Sequence, residues 1–114
     1  DAAYAETRAL LESGARPTAI VAASDEIAFG AMAAARALGL DIPGDLSIVG
    51  VDDHTLASVM GLTTVRQDVQ AQGAAAAELL LDTLIAGHRL DPGVDRIIPT
   101  ELVVRSSTAP PRLL

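Results

Sequence analysis

Thr18-Ala19-Ile20-Val21-Ala22-Ala23, closed by Ser24-Asp25, and Leu46-Ser47-Ile48-Val49-Gly50-Val51, closed by Asp52-Asp53, decide the fold between them. Each apolar run is too short for a helix and is bounded by turn-forming or charged residues, so each reads as a strand buried on both faces. Between them Ile27, Ala31, Ala34, Ala35 and Leu38 fall on one helical stripe. Ser24 or Asp25 can cap that helix, and Gly39 stands where a terminal glycine belongs. Strand, helix and strand within about 35 residues make a βαβ unit, hence a parallel sheet with a crossover. The expected class is α/β, a parallel sheet flanked by helices.

Upstream, Ala5, Ala9 and Leu10 recur at helical spacing between Ala2 and Ser13, and Gly14 and Pro17 stop that helix. Downstream, Asp52-Asp53-His54 ends the second strand, and an irregular stretch runs to Gly61. Leu62-Thr63-Thr64-Val65-Arg66 reads as a third strand, whose Thr pair fits an edge or a crossover better than a sheet centre. Val69 to Ala86 is the longest helical pattern, with Val69, Gly73, Ala76, Ala77, Leu80, Leu84 and Ile85 on one side and Gly87 ending it. Arg96 to Arg105 holds two short strand candidates split by Pro99, and Ala109-Pro110-Pro111 ends the order.

The 114 residues are half hydrophobic by count, only 2% aromatic, and carry no cysteine. All 8 basic residues are arginines, set against 15 acidic ones, for a formal charge of −7. Non-specific nucleic-acid binding by this segment is disfavoured, because neutralising phosphates needs clustered positive charge. The lack of cysteine excludes a disulfide framework and a thiolate metal site and permits a reducing compartment. No apolar stretch reaches the roughly 18 residues that span a bilayer, and the first residues lack a signal-peptide pattern. Alanine-rich helices form readily, yet each buried alanine contributes little apolar area, so the core is thin.

In open parallel sheets ligands bind beyond the carboxyl ends of the strands. Three such ends carry polar groups: Ser24-Asp25, Asp52-Asp53-His54 and Arg66-Gln67-Asp68. Gathered on one rim, they suit directed hydrogen bonds to a polyhydroxylated small molecule. Each also has a structural reading. Ser24, Asp25 and Asp68 are helix caps by type, Asp52 and Asp53 are turn formers, His54 is an exposed loop residue, and His88 complements a helix dipole. No nucleophile elbow, phosphate loop, dinucleotide fingerprint or zinc-helix motif is present. Asp52 and Asp53 could hold Mg²⁺ for phosphoryl transfer, but the cation such pockets bring to phosphate is commonly a lysine, leaving only Arg66 or Arg105.

Arg16-Pro17-Thr18-Ala19-Ile20, Ser24-Asp25 with Ala28 and Gly30, Ile42 through Asp53, Leu62 through Gln67 with Gly73, and Leu102 through Thr108 stand in an order and spacing that resembles the LacI/GalR family of bacterial transcription repressors. The resemblance covers nearly all of the chain. It implies a periplasmic-binding-protein-like effector domain, in which two α/β subdomains close on a small ligand, often a sugar or nucleoside-type molecule. Residues 1–114 then correspond to a partial effector-binding domain: most of the C-terminal subdomain and the long helix crossing to the other one. The DNA-binding headpiece, most of the N-terminal subdomain and a first strand before Ala2 lie outside it. The family's effector contacts fall on Ser24, often Asn there, on Asp52 and on Gln67, to which the sheet argument adds Asp25. The chain departs from the family at Ser24, which shortens the reach of that group, and at Val51, where an aromatic is common.

The resemblance thus implies a cytoplasmic ligand sensor with no catalysis, cofactor, metal or membrane partner, touching operator DNA only through the headpiece. Rival readings are a periplasmic sugar-binding protein of an uptake system, which shares the cleft, and an Mg²⁺-dependent phosphotransfer domain using Asp52 and Asp53. Leu80, Leu84 and Ile85 form an apolar stripe whose partner subdomain lies outside the segment, so a homodimer or an exchanged arrangement is expected.

Overall fold

β1 (Ala19–Val21), β2 (Ser47–Asp52) and β3 (Thr63–Arg66) pair in parallel, and β4 (Glu101–Val103) adds antiparallel to β3, giving the order β1-β2-β3-β4. α1 (Ala2–Glu12), α2 (Asp25–Ala37) and α3 (Thr55–Met60) accompany this sheet, and α4 (Val69–Ile85) follows β3 in the chain. The structure is a computed structural model that describes residues 2–87, 89, 93 and 95–112. It divides into two units, Asp1–Arg66 with Glu101–Leu114, and Gln67–Thr100.

In the first unit the register Ala19↔Ser47 and Val49↔Thr63 aligns the carboxyl ends of three strands. The core beneath them consists of Ala22, Ala28, Ala31, Met32, Ala35, Leu46, Ile48, Ala57 and Leu62. Full burial of Ile48, Leu46, Leu62 and Met32 stabilises by about 2 kcal/mol each, and each alanine contributes much less. Small residues instead let backbones approach closely. A Cβ on Gly30 of α2 would stand 2.8 Å from the Cβ of Ala3 in α1.

Several expectations need correction. β1 is an outer strand of three residues and is not buried on both faces: Ile20 packs on the core, but Val21 on the other face is 78% exposed. On α2 Ala31, Ala34 and Ala35 of the expected stripe are buried, joined by Ala28 and Met32, while Ile27 is 44% exposed. On α1 Leu11 reaches the core and Leu10 stays exposed. The supposed irregular stretch after His54 contains α3, which starts at a His54 cap and ends on Gly61 in the left-handed conformation. β3 is an interior strand, not an edge: Thr63 and Thr64 are buried, with both hydroxyls hydrogen-bonded. Of the two candidates around Pro99 only Glu101–Val103 forms a strand.

The segment after β4 straps the amino ends of β2 and β3. The buried Ser107 hydroxyl donates to the Ile48 carbonyl (2.6 Å) and accepts from the Thr63 amide (2.8 Å), and Ile48 N–H donates to the Ser107 carbonyl (2.9 Å). Ser47 Oγ meets both backbone groups of Ala109, and Thr63 Oγ1 takes the Arg105 amide at 2.9 Å.

In the second unit α4 begins at Asp68, whose carboxylate accepts the Ala71 amide at 2.8 Å as the cap reading expects. It contains no buried residue and shows Leu80, Leu84 and Ile85 to the exterior. Arg96 pairs with Glu78 at 2.8 Å within this unit. The expectation for His88 falls outside the described residues.

Candidate functional site

At the carboxyl end of β1 the chain turns into α2 through Ser24, whose extended backbone (φ −148°) lets its hydroxyl accept the Ile27 amide at 3.3 Å. Ser24 is therefore a cap, and its hydroxyl hydrogen is committed to no acceptor among the described residues. Asp25 begins α2 but points inward and is 1% exposed. Its Oδ2 accepts the backbone N–H of His54 at 2.7 Å and its Oδ1 accepts the Thr64 hydroxyl at 2.6 Å. One carboxylate thus ties the start of α2 to the turn after β2 and to β3. The room for it comes from Gly50, since a Cβ there would collide with Asp25 Oδ1 and lie 3.1 Å from Leu62 Cδ2.

At the carboxyl end of β2 two successive non-glycine residues have positive φ, Asp52 at 114° and Asp53 at 53°. Such conformations are costly and persist where the surroundings enforce them, most often at functional sites. The enforcing contacts are visible. Asp53 N–H donates to Thr64 Oγ1 at 3.3 Å, while its Oδ1 and Oδ2 accept from Arg105 Nη2 and Arg66 Nε, both at 2.7 Å. Arg105 also donates to the Leu62 carbonyl (2.8 Å), and Arg66 reaches Glu101 across to β4 (3.1 Å). Hydrogen bonds from Arg105 and then Arg66 hold the Asp53 carboxyl below the ordinary carboxylate range, outweighing the opposing effect of its burial. His54 is fixed as well: Nδ1 accepts the Leu56 amide at 3.1 Å, and the ring meets Phe29 edge-on at 5.9 Å.

The outcome is a rim with Asp25 and Thr64 buried beneath it, Asp53 and Arg105 half-buried beside it, and Asp52 exposed at the strand end. Ser24, Asp25 and Asp52 share this rim of the first unit, in the roles of cap, buried strut and presented carboxylate. Gln67 opens the second unit, half-buried, with its Oε1 accepting from Gln72 Nε2 at 3.4 Å. A carboxylate acceptor beside a hydroxyl able to donate matches the vicinal hydroxyls of a polyol. Among the described residues no group of three His, Asp or Glu side chains is placed to hold a metal ion, and both Asp53 oxygens are occupied by guanidinium groups.

Sequence reasoning missed the struts. Thr64, Arg66 and Arg105 carry the turn, and Gly50, a glycine inside a strand, signals only the close approach of the buried Asp25.

The periplasmic binding protein-like domain family matches residues 1–108. The transcriptional regulator MalR of Streptomyces coelicolor is 49% identical over 94 residues, covering 81% of this chain and 27% of the regulator. Among solved structures, a dimeric lac repressor with a C-terminal deletion superposes with a TM-score of 0.85 at 34% identity, covering 96% of this chain and 40% of the repressor. A LacI-family regulator from Enterococcus faecium with bound ribose gives 0.80 at 33%, over 96% of this chain and 40% of that one. The chain therefore spans well under half the length of these relatives.

Proposed function

The chain belongs to the LacI family of transcriptional regulators, within its periplasmic-binding-protein-like effector domain, and from that premise we propose that it is the ligand-sensing part of a cytoplasmic repressor. Residues 1–114 supply part of the effector-binding domain, and a DNA-binding headpiece outside them contacts the operator. The effector is a small polyhydroxylated molecule of the sugar class, as the ribose held by the Enterococcus faecium regulator suggests. Asp52 accepts its hydroxyl hydrogens, and Ser24 donates to or accepts from a neighbouring hydroxyl. Asp25 acts from beneath, positioning the turn. No bond in the effector is made or broken. Binding biases the arrangement of the effector domain and through it the spacing of paired headpieces, which is allostery because two sites share one conformational equilibrium. A homodimer fits this scheme, as the dimeric lac repressor neighbour does.

The observation that carries the reading is Asp52, held at φ 114° at a strand end by a network that leaves it exposed. Pre-organised polar groups bind hydroxyls without the cost of ordering them first. The test is a thermal-shift and calorimetric screen of the natural full-length protein against pentoses, hexoses, disaccharides and nucleosides, repeated with Asp52→Ala. A sugar that raises the melting temperature and is bound roughly tenfold or more weakly by the variant is expected, the loss corresponding to one hydrogen bond to a charged group. A hit whose affinity is unchanged in Asp52→Ala refutes the site, and a screen in which only nucleosides bind refutes the sugar class.

A further inference from the structure

At the opposite end of the sheet from Asp52, where the chain enters β1 and β2, a cavity of about 300 Å³ opens in the first unit. Leu11, Leu40 and Leu46 form its apolar wall, and Arg16, Asp45 and Arg112 stand at its polar side. We propose that this cavity is a second small-molecule site, distinct from the rim, that takes a compact monoanion with an apolar body, such as a short-chain carboxylate.

The charges support this choice. Asp45 is fully engaged: its Oδ2 accepts the Asp41 amide at 2.8 Å and its Oδ1 accepts from Arg112. Arg112 is thereby neutralised, whereas Arg16 has no hydrogen-bond or ion-pair partner among the described residues. The lining carries one cation in excess within a chain whose formal charge is −7. An acidic surface repels anions generally, so a cationic spot backed by leucines selects an anion that also brings apolar area to bury. Carboxylate geometry matches the planar guanidinium fork of Arg16, which can donate two parallel hydrogen bonds. The volume lies at the lower end of ligand pockets, roughly 300–1,000 Å³, which limits the occupant to a few carbons beyond its head group. With Asp45 and Arg112 cancelling each other, one cation faces the ligand, and a second negative charge on it would go unmatched.

The test titrates hexanoate and its neutral counterpart hexan-1-ol into the natural full-length protein by calorimetry, with ¹³C-methyl spectra locating the response. Hexanoate should bind saturably and shift the Leu11, Leu40 and Leu46 methyls. Hexan-1-ol should bind roughly tenfold more weakly, and Arg16→Gln should weaken hexanoate by a similar factor, the loss of one charged hydrogen bond. Arg16→Lys, which keeps the charge but not the fork, should recover only part of the affinity, and Ala15→Phe, which fills the cavity and keeps every charge, should abolish binding. Equal binding of acid and alcohol, unchanged affinity in Arg16→Gln, or methyl shifts confined to residues outside the cavity each overturn the proposal. None of these readouts involves a sugar, so failure here and failure of the rim are separable.

Discussion

Asp25 joins three elements through one carboxylate, and its removal has a calculable effect. Asp25→Ala leaves two donors without acceptors, the fully buried Thr64 hydroxyl and the backbone N–H of His54, bonded in the wild type at 2.6 and 2.7 Å. An orphaned donor in such a position costs about 1–3 kcal/mol, so the pair costs about 4 kcal/mol. A lost acidic residue in the first turn of α2 adds about 0.5 kcal/mol through the helix dipole. Relief of the carboxylate's own desolvation offsets part of this, leaving a net loss of about 3–4 kcal/mol. With a urea slope of about 2 kcal/mol/M, the unfolding midpoint falls by about 1.5–2 M. Asp25→Asn keeps one acceptor for His54 N–H, and its amide can donate to Thr64 Oγ1, so its loss should be about 1–2 kcal/mol. Urea titrations of the three proteins, followed by circular dichroism, decide the matter. An Asp25→Ala midpoint within about 0.25 M of wild type, or Asp25→Asn as unstable as Asp25→Ala, refutes the strut.

Gly50→Ala places a methyl against Asp25 and Leu62 and should cost about 1–3 kcal/mol, measured as a lower melting temperature; combined with Asp25→Ala the two losses should add to clearly less than their sum, because each relieves the same crowding. Asp53, whose folded pKa lies below its unfolded value near 3.8, contributes stability that is complete above that value and is lost as pH falls through the lower folded value. Acid titration of stability from pH 7 to 2 should therefore show a component that vanishes in Asp53→Asn. Arg105→Met removes the donor to both Asp53 and the Leu62 carbonyl and should lower stability by about 1–3 kcal/mol, with a larger proportional loss of sugar affinity than Arg8→Met, whose guanidinium bonds only within α1. Light scattering at tens of micromolar should report a dimer of the natural protein, and a monomer there would count against the assembly proposed above.

The architecture was legible because two apolar runs around an alanine helix admit few arrangements, and because Ser24 and Asp68 are caps by type. The site was legible only by position. Ser24, Asp25 and Asp52 are alike in sequence as polar residues at strand ends, and nothing local distinguishes a cap from a strut from a presented group. Asp25 is buried because Gly50 and Thr64 make a polar cavity for it from strands 25 and 39 residues farther along the chain, counting from Asp25 to each. β3 was misplaced for the same reason: its threonines look like surface residues until their hydroxyls find Asp25, Arg105 and Thr108. α3 escaped notice because six residues carry less than two turns of periodicity and its cap is a histidine.

The strap after β4 has a temporal meaning as well as a spatial one. Ser107 supplies partners to Thr63 and Ile48, residues separated from it by 44 and 59 positions. During synthesis the strands at Ile48 and Thr63 therefore leave the ribosome long before the residue that closes their amino ends. Until Ser107 emerges, the nascent sheet holds two amides and a carbonyl that only water can serve, and these sequence-distant contacts place the final locking step late and make it slow. A chain ending before Ser107 would possess every strand of the sheet and still lack its closure.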